Sequence, residues 1–572
     1  APVPELVVFA AASEAELEQA LARGRIGGVG PCRAVIVASH VAELEARIAR
    51  ARAHLAQGVP TGPGVHVRRR PIGGELALVF NGAGAAYPGM GGALLDALPE
   101  LRRELSSHAP ELAASFFAPW PETDEVEPLQ RLWASSYLSQ AHARISTQLL
   151  GLHAHAVIGY SSGESNSLFA SGIWTDHDAM VRACRESGVF TREIGGELRA
   201  VARAWGREHA RWQTWTVLAP IAEIEAALVG ETHAHLSIVH HDGEAVIAGD
   251  PDACARVCER LGASRCLRLH YDLAVHVPEL TQIRAAWLDL HRRPVTPRPD
   301  LRVYSGAHGG AYEPSPDACA EAILGQADRR LDFRRVIERA YADGVRVFVE
   351  QGPQAGCARW IKEILGEREA LVVAFDRKGA GLEPILDACA ALLAAGVDCT
   401  PERLIAALRV RPHARRSEGP HLRFPAHAPL VLPPLPAPVA PARAPEPSSM
   451  STSAMQAMPS APTLPPVDAI APPLHFAAPA PVAPAPAIAA PASAPAFVEP
   501  MPMQPGHPLA AIVQAQLAEI GRRQREFIVQ QAELHQQFLA MRERATQLLV
   551  GLAGGAAPPN VATPNITIPN AM

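Results

Sequence analysis

Ser161 lies in a sequence context that is typical of a nucleophilic serine. It is the middle residue of the pentapeptide Gly-Tyr-Ser-Ser-Gly at 159–163, between the apolar run 156–158 and a helix-like run at 164–172. A serine on a tight turn from a strand to a helix projects its hydroxyl out of the sheet, beside the free N–H groups of the helix start. Those groups can stabilise an oxyanion. The two glycines fit this turn because a Cβ would crowd it. A plain structural turn is the alternative.

A serine nucleophile needs a base, and His276 is the candidate. It lies in the run 272–280 (Asp-Leu-Ala-Val-His-Val-Pro-Glu-Leu), where we expect it to open a helix and face the serine. The chain has 23 histidines, so a histidine by itself carries little weight. We expect others, such as His240 and His241, to be solvated turn residues.

The predicted elements form successive units along the chain. Residues 1–75 alternate strand-like and helix-like runs, and the strand-like run 76–80 begins the main domain. Residues 210–275 have the order βαββαβ with a hairpin turn at 241–243, which is typical of a ferredoxin-like insert. Strand-like runs return after residue 300, so the main domain resumes behind the insert.

The C-terminal part differs in composition. Residues 426–506 are rich in Pro, Ala, Ser and Met, which predicts a linker. Residues 507–551 repeat apolar side chains every seven positions over about five heptads, which predicts a helix that self-associates. A single amphipathic helix packed on a neighbour is the alternative. Residues 552–572 are rich in Pro, Asn and Thr and are predicted to be a disordered tail.

The composition excludes several classes of function. A net charge of −6 without a Lys/Arg block argues against nucleic acid or an anionic membrane as partner, and no run is long and apolar enough to span a bilayer. Nine scattered cysteines without a CxxC pair fit a reducing cytoplasm, and Cys254 and Cys258 fit a helix core better than a zinc site. The start at Ala1, without a leader, favours a piece of a longer protein over a secreted one.

The order of these motifs resembles the acyltransferase domains of fatty-acid and polyketide synthases. That family opens with Phe-Pro-Gly-Gln-Gly-Ser-Gln, often continued by Tyr-Pro-Gly-Met-Gly, and residues 80–91 are Phe-Asn-Gly-Ala-Gly-Ala-Ala-Tyr-Pro-Gly-Met-Gly. Residues 347–353 are similar to its Glu-x-Gly-Pro motif. Gln326 precedes Phe333 by seven positions. In the family, the glutamine that holds the catalytic histidine likewise lies about seven residues before an aromatic residue. The resemblance covers residues 1 to about 410.

The resemblance implies an α/β fold with a hydrolase-like large subdomain, an inserted ferredoxin-like small subdomain and a preceding α/β linker subdomain. The corresponding ranges are 1–75 for the linker subdomain, 76–209 and 276–425 for the large subdomain with the segment that follows it, and 210–275 for the small subdomain. It implies Ser161 as nucleophile, His276 as base and Gln326 as the residue that holds the imidazole. The N–H groups of Ala83 and Ser162 would form the oxyanion hole. No bound cofactor or metal is implied, because the acyl groups travel on CoA or phosphopantetheine.

The departures from the family pattern are most similar to the second acyltransferase of bacterial polyunsaturated-fatty-acid synthases. Tyr160 replaces the usual histidine before the nucleophile. Malonyl-type members bind the malonyl carboxylate with an arginine about 25 residues after the serine; the ungapped position here is Glu186, and Arg185 would need a gap. Tyr160, Arg185 and Glu186 are therefore the substrate-binding candidates. An uncharged acyl group is expected, with malonyl loading through Arg185 or Arg192 as the alternative. The segments that carry the subfamily likeness are 159–164, 185–190, 196–200, 204–205, 252–254 and 276–279.

The resemblance implies ping-pong acyl transfer from a thioester, through an acyl-serine, to a phosphopantetheine thiol on an acyl carrier protein. Ketosynthase and chain-length-factor domains would be neighbours in the synthase. Three alternatives stay open: hydrolysis at the same Ser-His pair, an α/β-hydrolase in which Asp272 completes a triad, and a non-catalytic domain kept for assembly.

Overall fold

The computed structural model describes residues 4–121 and 127–409, which form three β-sheets with their helices. The predicted linker, heptad helix and tail, residues 426–572, lie outside the described residues. The first sheet belongs to the N-terminal unit and is antiparallel, in the order β1-β2-β3. Its elements are β1 (Glu5–Ala11), α1 (Glu14–Ala22), β2 (Cys32–Ala38), α2 (Val41–Gln57) and β3 (Val65–Arg68).

The large subdomain begins with the strand that the apolar run 76–80 predicts. Its first part contains two neighbouring parallel strands, β4 and β5, separated by four helices. The elements are β4 (Glu75–Phe80), α3 (Gly92–Ala97), α4 (Pro99–His108), α5 (Pro110–Phe117), α6 (Pro128–Arg144), β5 (Ala156–Gly159), α7 (Gly163–Ala170), α8 (His177–Ser187) and α9 (Arg199–Trp205).

The small subdomain has the predicted βαββαβ order, and its four strands are arranged as in ferredoxin-like folds. Taken in chain order, the strands pair as fourth-first-third-second. The turn at Asp242-Gly243 joins β7 to β8, as the sequence predicts. The elements are β6 (Gln213–Val217), α10 (Ile221–Leu228), β7 (Ala234–His241), β8 (Glu244–Gly249), α11 (Pro251–Leu261) and β9 (Cys266–Leu269).

The chain then completes the large subdomain. The remaining elements are α12 (Arg284–His291), β10 (Arg302–Ser305), β11 (Gly310–Tyr312), α13 (Pro316–Ala327), β12 (Leu331–Asp332), α14 (Phe333–Ala342), β13 (Val345–Gln351), α15 (Gly356–Leu365), β14 (Leu371–Ala374), α16 (Glu383–Ala394) and α17 (Pro401–Arg409). The six-stranded sheet has the order β11-β10-β5-β4-β13-β14 and is parallel except at β11. Its central strands are buried on both faces, which explains their continuous apolar sequences. The short β12 joins the small subdomain's sheet beside β7.

The helix α16 holds the N-terminal unit against the large subdomain. The Asp387 carboxylate accepts hydrogen bonds from the N–H of Gly64 at 2.8 Å and from Nε2 of His66 at 2.9 Å. The guanidinium of Arg33 donates to the carbonyl of Leu393 at 3.1 Å. The unit at the chain's start is therefore fixed by residues more than 300 positions away.

Candidate active site

Ser161 occupies a strained turn at the carboxyl end of the central strand β5. Its φ is 56°, in the left-handed region that costs a non-glycine residue about 1–2 kcal/mol. Gly159 and Gly163 make this turn possible. A Cβ on Gly159 would lie 2.1 Å from the Cα of Glu164, and one on Gly163 would lie 2.0 Å from the carbonyl oxygen of Phe80. The turn is thus pressed against both its own helix and the neighbouring strand.

His276 faces this serine directly. Its Nε2 lies 2.8 Å from Ser161 Oγ, and its Nδ1 lies 2.6 Å from the carbonyl oxygen of Gln326. A carbonyl can only accept, so Nδ1 carries the proton and Nε2 is left to accept from the serine hydroxyl. The backbone of His276 has φ 65° and donates its N–H to the carbonyl of Ala327 at 2.7 Å. The expectation that His276 opens a helix is wrong, because the residue lies in a loop before the 3₁₀ helix Pro278–Ile283.

The imidazole of His276 is neutral over a wide pH range. The side chain is buried, and this burial lowers its pKa to about 4, although the hydrogen bond to the Gln326 carbonyl acts in the opposite direction. At neutral pH the ring can therefore accept a proton, which is the state that a general base needs.

Gln326 contacts both members of the pair, but in a way that the sequence does not show. Its backbone carbonyl, not its side chain, holds the imidazole. The side-chain Nε2 donates instead to the carbonyl of Ser161 at 3.0 Å and so supports the strained turn. Asp272 pairs with Arg268 rather than with His276. The α/β-hydrolase alternative, which needs a carboxylate on the histidine, does not agree with this geometry.

The two predicted oxyanion donors differ in their present partners. Ala83 begins the short 3₁₀ turn Ala83–Ala85 after β4. Its N–H donates to Oγ of Ser162 at 3.0 Å. The N–H of Ser162 itself has no acceptor among the residues that the structure describes. The N–H of Ser162 is thus available to a ligand, whereas the N–H of Ala83 is already bonded to the Ser162 hydroxyl.

An apolar chamber extends from Ser161 into the large subdomain. It lies between the helices that flank the strand-to-helix turn at 159–163, which we call the elbow. Phe169 and His177 stack in the wall of the chamber with their ring centroids 3.9 Å apart. Among the described residues that line it there is no arginine or lysine. The apolar and aromatic side chains of the wall are Leu112, Leu132, Trp133, Phe169, Met180, Phe190, Ile194, Tyr271, Leu273, Val275, Trp287 and Ile323.

Arg185 and Glu186 line neither this chamber nor the second cavity beside Ser161, so their assignment as substrate-binding residues stays a prediction that the geometry does not support. Helix α8 turns Met180 and Cys184 towards the core, and positions 185 and 186 therefore face solvent. The guanidinium of Arg185 contacts the Glu111 carboxylate at 3.1 Å and is about half exposed (49%). Arg192 is exposed as well, and it too is absent from the chamber wall.

Tyr160 lies on the other side of the elbow, in a groove between the two subdomains. Its hydroxyl lies 2.8 Å from His240 Nε2, and His240 Nδ1 lies 3.1 Å from the Glu244 carboxylate. Glu244 also forms a two-pronged ion pair with Arg359, with contacts of 2.6 and 2.9 Å. His240 is therefore buried in the interface between the subdomains and is not the solvated turn residue that its position predicts. Ser161 and His276 line both the groove and the chamber.

Several residues of the site carry no signal in the sequence. His177 and His291 line the chamber, and burial lowers the pKa of each, to about 3 for His177 and about 4 for His291. They come from α8 and α12, which are separated by the whole small subdomain. No spacing along the chain connects them, so only their proximity in the fold reveals them.

The comparisons with known proteins agree with this architecture. No family model matches the chain. The solved acyltransferase domain from module 8 of the salinomycin polyketide synthase superposes with a TM-score of 0.57 at 19% identity, covering 70% of this chain and 98% of that domain. The described residues therefore have the fold of polyketide-synthase acyltransferase domains, as the motifs predict.

The curated relatives are large synthases. One component of the polyunsaturated fatty acid synthase of Thraustochytrium sp. is 25% identical over 259 residues, which are 42% of this chain and 13% of that protein. Polyketide synthase GfsB of Streptomyces halstedii is 28% identical over 336 residues, which are 54% of this chain and 6% of that protein. The chain thus spans a small fraction of the length of either relative. No helix among residues 4–121 and 127–409 is long and apolar enough to cross a membrane.

Proposed function

We propose that this chain is an acyltransferase domain that moves an acyl group from a thioester, through an acyl-Ser161 intermediate, to the phosphopantetheine thiol of an acyl carrier protein. The observation that carries the proposal is the 2.8 Å contact between Ser161 Oγ and His276 Nε2. This contact lies where the apolar chamber meets the groove between the subdomains. The groove could admit the phosphopantetheine arm of a carrier protein, here called the carrier arm. The likeness to synthase sequences supports the same assignment.

The mechanism follows from the orientation of the imidazole. His276 Nε2 accepts the Ser161 proton while Oγ attacks the thioester carbonyl, and the carbonyl electron pair moves onto oxygen. The resulting oxyanion is held at the elbow. When the tetrahedral intermediate collapses, the leaving thiolate takes the proton from the imidazolium. The carrier thiol then reverses these steps on the acyl-serine. The Gln326 carbonyl keeps the imidazole in the required tautomer, so no carboxylate is needed.

The chamber favours an uncharged acyl group. A malonyl carboxylate in a buried site needs a cation to offset its lost hydration, and no arginine or lysine is among the described residues of the wall. A hydrocarbon chain, in contrast, would contact the apolar and aromatic side chains that form most of the wall. We therefore propose acyl groups from acetyl to a long unsaturated chain as substrates.

We propose that the protein binds no cofactor of its own and that CoA or phosphopantetheine arrives as part of the substrate. The carrier arm would enter through the groove between the subdomains. Since the curated relatives are synthases, ketosynthase and chain-length-factor domains are the proposed neighbours.

The test is to detect the acyl-enzyme by intact mass after mixing the full chain with hexanoyl-CoA. The wild type should gain one acyl group, Ser161→Ala should gain none while keeping its fold, and His276→Ala should acylate roughly 10²–10⁴-fold more slowly. Adding a carrier protein with a phosphopantetheine thiol should then discharge the adduct onto that thiol. Discharge to water instead would identify a hydrolase, and an acyl group retained on a serine of Ser161→Ala would refute the site.

Substrate charge is tested by competition between malonyl-CoA and hexanoyl-CoA. We expect the uncharged acyl group to dominate on Ser161, and Arg185→Ala to leave the ratio of the two adducts unchanged, because Arg185 is held by Glu111 outside the chamber. A dominant malonyl adduct that disappears in Arg185→Ala would instead show that the domain loads malonyl extender units with the help of Arg185.

A further inference from the structure

Ser162 covers a hydrogen-bond donor that the proposed reaction would use. The N–H of Ala83, in the 3₁₀ turn that follows β4, donates to the side-chain oxygen of Ser162 at 3.0 Å. These two residues are 79 positions apart, and they meet because β4 and β5 are neighbours in the sheet. An oxyanion held by two backbone N–H groups would have to displace this hydroxyl first.

The hydroxyl of Ser162 can itself be a donor. A serine hydroxyl accepts through its lone pairs and still has one proton to donate. In the described part of the chain, no acceptor takes that proton. The side chain also lines the acyl chamber together with Ser161 and His276. It is therefore beside the reacting groups, with a free proton and with its oxygen polarised by the Ala83 N–H.

We infer that the Ser162 hydroxyl is a catalytic oxyanion donor, with the Ala83 N–H acting through it. This inference rests on the proposed acyl transfer. As Ser161 Oγ bonds to the acyl carbon, the carbonyl π pair moves to oxygen, and that oxygen accepts from the O–H and the N–H of Ser162. Neither donor transfers its proton. When the C–S bond breaks, the electron pair returns to re-form the carbonyl, and His276 protonates the leaving thiolate.

If the Ala83 N–H instead donates directly to the oxyanion, removing the Ser162 hydroxyl should have the opposite effect on the acylation rate. If the hydroxyl must rotate away so that the Ala83 N–H can donate directly, Ser162 obstructs the reaction. Removing its oxygen would then speed acylation or leave it unchanged. Because each donor at an oxyanion hole accounts for about 10²–10³-fold in rate, the two arrangements are separable by kinetics.

The experiment measures single-turnover acylation of Ser161 by hexanoyl-CoA in the full chain, with intact mass as the readout. We expect Ser162→Ala to lower the maximal acylation rate at least tenfold while the half-saturating concentration of hexanoyl-CoA changes less than threefold. The matched control is Ser171→Ala, which flanks the other end of α7. Its hydroxyl donates to the carbonyl of Ser167 at 2.8 Å, and the residue does not line the chamber. That variant should acylate at the wild-type rate.

A second pair of variants separates the hydrogen bond from packing at the turn. Ser162→Thr and Ser162→Val differ by one oxygen in nearly the same shape, and circular dichroism shows whether both fold. We expect the threonine variant to acylate at least tenfold faster than the valine variant. Equal rates in this pair, or a Ser162→Ala rate equal to or above wild type, would overturn the inference and leave the acyltransferase proposal intact. A wild type that forms no adduct would overturn both.

Discussion

At the residue scale, the site depends on two side chains held in strained backbone conformations. Ser161 and His276 both have positive φ. The side-chain amide of Gln326 donates to the carbonyl of Ser161, and the N–H of His276 donates to the carbonyl of Ala327. Such strain persists only where surrounding contacts determine the conformation. Here Gln326 and Ala327, at the end of α13, supply those contacts, so the last turn of one helix positions both Ser161 and His276.

The pH dependence of acylation should report the buried imidazole. Because the folded pKa of His276 is about 4, below the usual 6.5, the ring stays neutral and able to accept a proton until the pH falls to about 4. We expect the acylation rate to be flat from neutral pH down to about 5.5 and to fall with a midpoint near 4. The free energy of unfolding should fall at higher pH than the rate does, between pH 6.5 and about 4. In this interval the unfolded chain binds the proton of His276 and the folded chain does not.

Timed quenching and intact mass at each pH check this expectation, with circular dichroism confirming the folded fraction. Other histidines, among them the buried His142 and His291 and the partly buried His177, also have pKa values lowered by desolvation and add to the acid destabilisation. The rate is therefore normalised to folded protein. An acid limb centred near 6.5 after this correction would show that the His276 ring is solvated.

Replacing Gln326 by alanine should have a smaller effect than replacing His276. The substitution removes the hydrogen bond to the Ser161 carbonyl but keeps the backbone carbonyl that holds the imidazole. We expect roughly a tenfold loss of acylation rate at most and an unchanged pH midpoint, measured beside His276→Ala. A loss as large as that of His276→Ala would mean that the side chain, not the backbone, orients the base.

At the scale of elements, the elbow depends on close packing between β4, β5 and α7. The first residue of α7, Gly163, lies against the carbonyl of Phe80 with no room for a methyl group. Strands β4 and β5 end side by side, and this brings the Ala83 turn to the start of α7. The carboxyl ends of parallel strands are where α/β sheets place their ligands.

Gly163→Ala should therefore destabilise the fold, by about 1–3 kcal/mol or more, because the backbone has to move. Gly92→Ala is the matched control, since Gly92 also begins a helix and a Cβ there has no atom within 4 Å. That variant should unfold at the wild-type denaturant concentration or slightly above it. Urea unfolding of both proteins is the measurement, and equal midpoints would contradict the close packing described here.

At the scale of the whole molecule, a polar network joins the two subdomains beside Ser161. Glu244 of the small subdomain contacts Arg359 and Trp360 of the large one, and His240 stacks on Trp360 with ring centroids 3.7 Å apart. Tyr160, next to Ser161, donates to or accepts from the same histidine. The groove that leads to Ser161 is therefore fixed by contacts between subdomains, and its width depends on them.

The heptad pattern at 507–551 lies outside the described residues and stays a prediction. Its a positions are apolar, but two of its d positions are glutamines, which should weaken self-association. We expect a chain that ends at residue 425 to have a lower mass per particle than the full chain in light scattering. Identical masses at the same concentration would show that this helix does not drive association.

The sequence alone determined the parts of the site that depend on local geometry. The elbow at 159–163 and the βαββαβ order of 210–275 follow from turn-forming residues and from apolar runs only a few residues long. The position of His276 after the insert made it a candidate, but no local pattern distinguishes it among 23 histidines, so its assignment as the base relied on the family resemblance. The exposed positions of Arg185 and Glu186 could not be predicted for a related reason: a position counted along the chain does not state which face of a helix it occupies.

Only the tertiary structure decided how these parts meet. Gln326 supports Ser161 across 165 positions and Ser162 covers Ala83 across 79, and neither contact leaves a pattern in the sequence. The uncharged wall of the chamber is likewise assembled from side chains of several helices. Local propensity can predict a turn or a strand, but the partner of a buried hydrogen bond is set by which elements the sheet brings together.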